Sequence, residues 1–241
     1  MRVAVTGSRG QVGTMLVPRL TGHFDLRLID IVPPVTDPPE HLQLDICDTE
    51  AMTRAFAGVD GVVHLAGQRA VSASWADLEH PNIVGLVSTF EAAQRAGVGK
   101  IVFASTNHVT GMYDREQAWP LSPELPARPD SLYGVTKAFG EDLGRYYSDK
   151  FGMSVVCLRF GWVLERPHNE QARWQWLSPD DLARLVSAAL QSDVRFGIYY
   201  GVSNNTQRRW SIENARLDLG YEPADDSEHY FVATSGARDD K

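Results

Sequence analysis

A short apolar segment that runs directly into closely spaced glycines is the feature that most constrains the fold. Arg2 to Thr6 is a β-rich run, Gly7, Gly10 and Gly13 follow it, and apolar residues then recur at helical spacing. This order predicts a strand, a tight turn and a helix whose first N–H groups are free to bind an anion. Gly7 is expected to permit the turn, Gly10 to let a pyrophosphate approach, and Gly13 to allow close packing of the helix on the sheet.

A carboxylate at the end of the next predicted strand is the second constraint. Asp25 to Ile31 is β-rich, and Asp30 lies about 20 residues beyond the glycines, where a carboxylate can accept both hydroxyls of an adenosine ribose. Because the same charge repels a 2′-phosphate, the two features predict NAD rather than NADP, with Gln11 and Val12 completing the turn. A glycine turn without a ligand and an aspartate that only caps a turn are the alternative interpretations.

The remaining segments alternate between apolar runs and helical periodicity, which is typical of a parallel sheet covered by helices on both faces. We predict an α/β fold with a doubly wound parallel sheet of the Rossmann type and a small C-terminal substrate-binding cap. Residues 1–160 would form the NAD-binding core, and residues 161–241 would form the cap with one returning strand, not an independent domain. The predicted strands lie around Leu42 to Ile46, in GVDGVVHLAG, KIVFAST and SVVCLRF, and at Gly197 to Val202. The predicted helices are Thr49 to Ala57 with Asp48 as N-cap, Asn82 to Ala96, Leu132 to Phe151, Pro179 to Gln191 and a short terminal helix.

Prolines interrupt this pattern at two places. Pro18 is expected to kink or shorten the first helix, because proline lacks the N–H donor and clashes with the preceding turn. The segment after the second strand contains Pro33, Pro34, Pro38 and Pro39, and it is therefore predicted to be a long, exposed loop.

Composition excludes several classes of partner. Against 31 acidic residues there are 23 Lys and Arg, a net charge of −8, and no basic run that follows a phosphate backbone, which excludes nucleic acid. The sequence shows neither a secretory signal nor the ~20 apolar residues of a membrane span. Cys47 and Cys157 are far apart and not at metal-ligand spacing. We expect a soluble cytoplasmic protein without a membrane partner, a disulfide framework or a metal site.

A tyrosine and a lysine four residues apart form the strongest catalytic candidate. Tyr133 and Lys137 share one face of a predicted helix, so the lysine can lie beside the phenol and lower its pKa toward the range of a general base. Thr106, at the end of the fifth strand after Ser105, can supply a hydroxyl that positions a substrate alcohol. The alternative is an amphipathic helix that carries this pair by chance.

Two further strand ends are predicted to contact the same dinucleotide, because ligands of doubly wound sheets bind at the carboxyl ends of the strands. Asp45 and Ile46, after the third strand, are expected to contact the adenine. Leu65, Ala66 and Gly67, after the fourth strand, are expected to lie beneath the ribose and the nicotinamide.

The order of these motifs resembles the extended short-chain dehydrogenase/reductase family over residues 1–160. The motifs are GxxGxxG, strand-end Asp30, HLAG, a helix led by Asn82, FAST and YGVTK. Beyond them, FASTNHVTG, ARPDSLYGVTKAFGEDLGRYY and WLSPDD are similar to the uronate dehydrogenases and the short-chain-type NAD-dependent glucose-6-phosphate dehydrogenases.

The resemblance implies specific roles for several side chains. Tyr133 would be the general base, Lys137 would lower its pKa and hold the nicotinamide ribose, and Thr106 with Asn107 would contact the sugar. Ser105 and Asn82 belong to the implied cofactor site. The implied reaction oxidises the anomeric hydroxyl of a sugar acid or sugar phosphate to a lactone, and the protein would form homo-oligomers, for which the Leu132 to Phe151 helix offers a face.

The substrate end departs from that group. Uronate dehydrogenases carry an arginine for the substrate carboxylate where this sequence has Gln171, and Arg173 lies two residues later. The candidates for binding an anionic group are therefore Arg69, Arg173 and the pair Arg208 and Arg209, because guanidinium binds carboxylate or phosphate bidentately. The alternative for each is a solvated surface arginine or a structural ion pair. His108 is a candidate contact to a sugar hydroxyl. Four tryptophans form either an apolar wall for the sugar or core: Trp162, Trp174, Trp176 and Trp210.

Two other functions stay open from the sequence. One is a nucleotide-sugar epimerase or dehydratase that recycles its NAD, although the short cap argues against it. The other is a non-catalytic NAD-sensing protein, although the intact set of Thr106, Tyr133 and Lys137 argues against that.

Overall fold

Seven parallel strands form the centre of the molecule. The computed structural model describes residues 1–33 and 40–235. The strands within these ranges are β1 (Arg2–Thr6), β2 (Asp25–Asp30), β3 (His41–Gln43), β4 (Gly61–His64), β5 (Lys100–Thr106), β6 (Ser154–Phe160), β7 (Trp162–Val163), β8 (Trp176–Leu177) and β9 (Phe196–Gly201). The sheet has the order β3-β2-β1-β4-β5-β6-β9, and β7 and β8 form a separate two-stranded ribbon. The predicted doubly wound parallel sheet is confirmed.

Helices cover both faces of this sheet. They are α1 (Gln11–Leu20), α2 (Thr49–Ala55), α3 (Trp75–Leu78), α4 (Gly85–Arg95), α5 (Gly111–Arg115), α6 (Leu132–Phe151), α7 (Ala172–Gln175), α8 (Pro179–Gln191), α9 (Glu213–Leu219) and α10 (Glu228–Ser235). A π-helical turn spans Glu79–Val84, and a 3₁₀ turn spans Asn107–Thr110.

Two hydrophobic clusters hold the layers together, one on each face of the sheet. Leu16 of α1 packs with Leu182 of α8 in one cluster, while Met52 of α2 and Phe90 of α4 lie in the other. The central strands contribute to both clusters because neighbouring residues of a strand point to opposite faces.

Side-chain caps fix where the main helices begin. Asp48, the predicted N-cap of α2, accepts a hydrogen bond from the Ala51 N–H at 2.9 Å. Ser131 and Ser178 cap α6 and α8 in the same manner. Because α6 begins directly after the Ser131 cap, Tyr133 lies in its first turn, at the carboxyl edge of the sheet.

Several predicted boundaries differ from the structure. Pro18 does not stop α1, which continues to Leu20. The helix expected from Asn82 is preceded by α3 and begins as the π-helical turn. The short α5 and the 3₁₀ turn were not predicted, because neither is long enough to show a hydrophobic period. Of the predicted proline loop, Pro34, Pro38 and Pro39 lie outside the described residues.

The segment after Phe160 first forms the small elements β7, α7 and β8 beside the cleft and then adds a strand to the main sheet. Its strand β9 pairs in parallel with β6, and α8 packs against α1. Gln11 of α1 donates a hydrogen bond from Nε2 to the Val163 carbonyl at 3.2 Å, which joins the glycine turn to β7. Among residues 1–33 and 40–235, no helix combines the length and the hydrophobicity needed to cross a bilayer.

Candidate active site

A cleft of about 1240 Å³ runs along the carboxyl ends of the strands. It crosses the point between β1 and β4 where the strand order reverses, which is where doubly wound sheets bind ligands. Its volume exceeds the roughly 300–1,000 Å³ of pockets for one small ligand, so it has room for two ligands end to end. Most predicted site residues line it: Gly7, Gly10, Gln11, Val12, Asp30, Asp45, Ile46, Leu65, Ala66, Gly67, Arg69, Ser105, Thr106, Asn107, His108, Tyr133 and Lys137.

The glycine turn after β1 forms a cradle that side chains would fill. Gly7 has φ of +70°, and a Cβ atom there would lie 2.6 Å from the Ala66 nitrogen. A Cβ atom on Gly13 would lie 2.4 Å from the Gly7 carbonyl oxygen. No side chain caps the N-terminus of α1, which begins after Gly10. The cradle therefore fits a pyrophosphate bound to the first N–H groups of α1.

The Asp30 carboxylate lies at the end of β2, buried and at the edge of the cleft. Its Oδ2 accepts a hydrogen bond from the Arg9 N–H at 2.8 Å, and its Oδ1 accepts one from the Val32 N–H at 2.9 Å. A carboxylate has about four lone-pair sites, so two remain for ribose hydroxyls. Asp30 thus fits its predicted role and also fixes the glycine turn.

Asn82, predicted to belong to the cofactor site, lies behind the residues that line the cleft. Its amide accepts a hydrogen bond from the Gln68 N–H at 2.7 Å and donates to the Gln68 carbonyl at 2.9 Å and to Thr136 Oγ at 3.0 Å. The π-helical turn aims this amide inward. Asn82 therefore attaches the loop after β4 to α6 and shapes the cleft from behind.

The third strand end brings together side chains that are distant in sequence. Asp45, Cys47 and His80 have potential metal-ligand atoms within 4.8 Å of one another, although the sequence spacing gave no metal site. The thiol donates to the His80 carbonyl, and burial raises the pKa of Cys47 to about 11, with a contribution from Asp45. The thiol therefore stays protonated at neutral pH.

Tyr133 and Lys137 meet at the end of β5, as their spacing predicts. Lys137 donates a hydrogen bond from Nζ to the Ala104 carbonyl at 2.8 Å, and its Nζ lies 5.8 Å from the centroid of the Tyr133 ring. Both side chains are buried, and the Thr106 hydroxyl is close enough to the tyrosine to lower its pKa. A phenol, an ammonium and a hydroxyl therefore converge at one point of the cleft.

Lys137, which was predicted to lower the pKa of Tyr133, is not among the groups that do so in this structure. Burial raises the pKa of Tyr133 to about 12, while the hydrogen bond from Thr106 and the charge of Arg69 lower it by less. Burial also lowers the pKa of Lys137 to about 8. The physical reason is that both groups are withdrawn from water and the ammonium is directed at a carbonyl instead of the phenol.

Replacing Lys137 with methionine is expected to raise thermal stability while it abolishes turnover. A lysine pKa lowered from 10.5 to about 8 means that burial opposes folding of the charged form, by about 3 kcal/mol. This penalty is complete below pH ~8 and disappears as the pH rises to ~10.5, because the unfolded chain then also loses the proton. Thermal unfolding at pH 7 should show a melting temperature higher by roughly 6–12 °C, and the gain should shrink at pH 10.

Lys150→Met, at an exposed position of the same helix, is the matched control. It should leave the melting temperature unchanged at both pH values. A Lys137→Met variant that loses stability equally at pH 7 and pH 10 would contradict the assigned burial penalty.

The turn after β5 presents the predicted sugar contacts. Thr106 Oγ donates to Asn107 Oδ1 at 3.3 Å, and it accepts from the His108 N–H at 3.3 Å. His108 Nδ1 lies 2.9 Å from Asp130 Oδ1, and its ring lies edge-on to Tyr133 at 6.2 Å between centroids. Asp130 therefore fixes the orientation of an imidazole that faces the cleft beside the phenol.

The sequence model of the NAD dependent epimerase/dehydratase family matches residues 3–164. The chain belongs to this family. The resemblance predicted from the motifs is confirmed.

Several proteins similar to this chain are sugar dehydrogenases. A NAD-dependent glucose-6-phosphate dehydrogenase of Haloferax volcanii is 37% identical, with 95% of each chain covered. A uronate dehydrogenase of Pseudomonas putida is also 37% identical, over 96% of this chain and 87% of that protein. A crystal structure of a uronate dehydrogenase variant from Agrobacterium tumefaciens, complexed with NAD, has a TM-score of 0.89 at 34% identity and covers 100% of this chain and 91% of that chain.

Arg173 does not line the cleft in this member of the epimerase/dehydratase family, although it was predicted as a substrate contact. Its guanidinium pairs with Glu170 at 3.2 Å and with Glu228 at 3.5 Å, and it lies over the Phe231 ring. The acidic Glu228 is 55 residues away in sequence, so no local pattern indicated the pairing. Nor do Arg208 and Arg209 line the cleft.

The four tryptophans divide between core and cleft. Trp176 and Trp210 are buried in the core, and Trp174 packs against it. Trp162 alone of the four lines the cleft. Only the Trp162 indole can therefore form an apolar wall for the sugar, because Trp176 and Trp210 are buried in the core.

Several cleft residues were not predicted from the sequence as functional. Gln171 and Gln175 line the cleft on the side of the cap, and Arg9 lies at the opposite end. Asp130 lies three residues before Tyr133 within RPDSLYG, so its closeness to the catalytic motif was the available signal. Arg9, between two glycines of the turn, was also visible in the motif.

Proposed function

We propose that the protein oxidises the anomeric hydroxyl of a monosaccharide acid or sugar phosphate to the lactone with NAD. The single observation that supports this most is the convergence of Tyr133, Thr106 and Lys137 beside a glycine cradle, in one cleft with room for two ligands. The motifs predict an NAD-dependent sugar dehydrogenase, and the relatives named above agree with this prediction.

The dinucleotide is proposed to extend from β2 to β5. The glycine cradle holds the pyrophosphate, Asp30 accepts the adenosine ribose hydroxyls, and Lys137 donates to the nicotinamide ribose. When bound, NAD supplies the carbon that accepts a hydride. The proposed cofactor contacts are Gly7, Gly10, Gln11, Val12, Asp30, Asp45, Ile46, Leu65, Ala66, Gly67, Ser105, Tyr133 and Lys137.

Tyr133 is the proposed general base. A phenol with a pKa near 12 holds its proton at neutral pH, so the phenolate must be stabilised in the ternary complex. Thr106 and the positive charge of Arg69 both lower the pKa of Tyr133. The phenolate then takes the hydroxyl proton as the anomeric C–H bond breaks, and the carbon is left as the lactone carbonyl.

Sugar contacts are proposed at the end of β5 and at the loop after β4. Thr106, Asn107 and His108 would bind sugar hydroxyls, because their polar atoms face the cleft beside the phenol. Arg69 is the proposed partner of the substrate's anionic group, since it lines the cleft and its charge reaches Tyr133. Guanidinium suits both carboxylate and phosphate.

Formation of NADH by purified protein tests the proposed function. The substrates are glucuronate, galacturonate, glucose-6-phosphate and neutral aldoses, each with NAD. We expect NADH and an equal amount of lactone with at least one anionic sugar. Turnover of neutral aldoses alone would contradict the role of Arg69, and no net NADH with any sugar, while a UDP-sugar is converted, would replace the proposal with an epimerase.

We also propose a division into an NAD-binding core and a cap, a cytoplasmic location and a homo-oligomeric assembly. Residues 1–160 would bind NAD, and residues 161–241 would close over the sugar while contributing β9 to the sheet. Both cysteines are free thiols, which suits the reducing cytoplasm.

A homo-oligomer formed through α6 would cover its exposed apolar residues, Leu132, Val135, Tyr146 and Phe151. Light scattering of the wild-type protein tests this, and a monomeric mass would contradict it.

A further inference from the structure

An unpaired guanidinium lies at the adenosine end of the cleft. Arg9 belongs to the glycine turn and lines the cleft, and its Nη1 is buried without a hydrogen-bond partner in residues 1–33 and 40–235. A buried donor that lacks an acceptor is unfavourable, so such donors usually mark a missing partner. The guanidinium is therefore placed to receive an anionic or strongly accepting group.

His41, the first residue of β3, lies in the same surroundings. Its Nε2 is also buried without a partner in the part of the chain that the structure describes. Burial lowers the pKa of His41, the carboxylate of Asp30 raises it and the charge of Arg9 lowers it, so both charged side chains act on the His41 imidazole. Two unpaired nitrogen atoms thus accompany the carboxylate at the end of β2.

Backbone hydrogen bonds partly compensate the negative charge of the Asp30 carboxylate. Asp30 accepts backbone hydrogen bonds on both oxygens, at 2.8 Å from Arg9 and 2.9 Å from Val32. These N–H dipoles reduce the repulsion that Asp30 exerts on a neighbouring anion. Asp30 still prefers ribose hydroxyls, but an adjacent guanidinium can bind a phosphate on that ribose.

We propose that the adenosine end of the cleft also accepts a ribose 2′-phosphate, bound by Arg9, so that the enzyme uses NADP in addition to NAD. This inference rests on the proposed cofactor site. Its competitor is an Arg9 guanidinium that lies flat on the adenine ring and therefore serves both dinucleotides equally.

Calorimetric titration with 2′,5′-ADP and with ADP separates these two roles without any turnover. Wild type is expected to bind both nucleotides. Arg9→Met should weaken 2′,5′-ADP about 10- to 100-fold, the loss of one charge-assisted contact, and ADP less than about threefold. Arg54→Met, which removes an exposed arginine of α2 outside the cleft, should change neither affinity.

Turnover gives the second test. With any sugar that the enzyme oxidises, kcat/KM for NADP should fall in Arg9→Met by the factor seen for 2′,5′-ADP, and kcat/KM for NAD should persist. Equal losses for both nucleotides would overturn the inference in favour of adenine stacking, and so would a wild type that binds ADP but not 2′,5′-ADP. Absence of sugar oxidation with either dinucleotide would overturn the proposed function only, because the titration is independent of it.

Discussion

Replacing Tyr133 with phenylalanine is expected to lower kcat by about 10²- to 10⁴-fold, the usual contribution of a positioned acid–base group. The substitution keeps the ring, which is buried and lies edge-on to His108, and it removes only the hydroxyl beside Thr106. NAD affinity should therefore change little, because the ring still fills its place. Steady-state kinetics together with a titration of NAD binding measure the two effects separately.

Tyr146→Phe is the matched control for this variant. Tyr146 lies on the same helix with its ring partly exposed, and its hydroxyl accepts a hydrogen bond from Lys150 at 2.8 Å, away from the cleft. Its removal should leave kcat unchanged. If Tyr133→Phe also kept its full kcat, the phenol would not be the base.

Glu141→Gln is expected to reduce the free energy of unfolding by about 3–5 kcal/mol, since it leaves a buried arginine without its counter-charge. Glu141 lies one helical turn after Lys137 and pairs with Arg159 of β6 through hydrogen bonds of 2.7 and 2.8 Å. The side chains are only 2% and 5% exposed, and Ser105 donates a further bond of 2.6 Å to the same carboxylate. This pair fixes α6, and therefore Tyr133 and Lys137, against the ends of β5 and β6.

An exposed pair on the same helix provides the control. Arg145 and Asp149 are also 2.7 Å apart, but both side chains are 59% exposed. Asp149→Asn should therefore reduce the free energy of unfolding by less than about 0.5 kcal/mol. Denaturant titrations of both variants measure the difference, and equal losses would show that burial does not control the strength of the Glu141 pair.

The fold and the central motifs could be predicted because their signals are local. The strand, glycine turn and helix around Gly7 are adjacent in sequence, and Tyr133 and Lys137 are related by one helical turn. The parallel order of the strands follows from the alternation of strands with crossover helices. These features depend on backbone geometry that a short segment already specifies.

The remaining site features depend on contacts between distant segments. Arg173 turns away because Glu228, from the last described helix, is packed beside it, and Asn82 bonds to Gln68 because a π-helical turn reorients it. The pKa of Tyr133 depends on how deeply the sheet and α6 bury it. No periodic pattern in the sequence indicates these contacts, because tertiary packing alone determines them.

The most direct test of the account is the fate of the anomeric hydrogen. A substrate sugar carrying deuterium only at C1 is oxidised with NAD, and the reduced cofactor is analysed by mass spectrometry. Deuterium should appear in the reduced cofactor, one for each lactone formed, and its rate of transfer should fall about 10²- to 10⁴-fold in Tyr133→Phe. Reduced cofactor without deuterium, from a sugar that keeps its label, would contradict oxidation at the anomeric carbon.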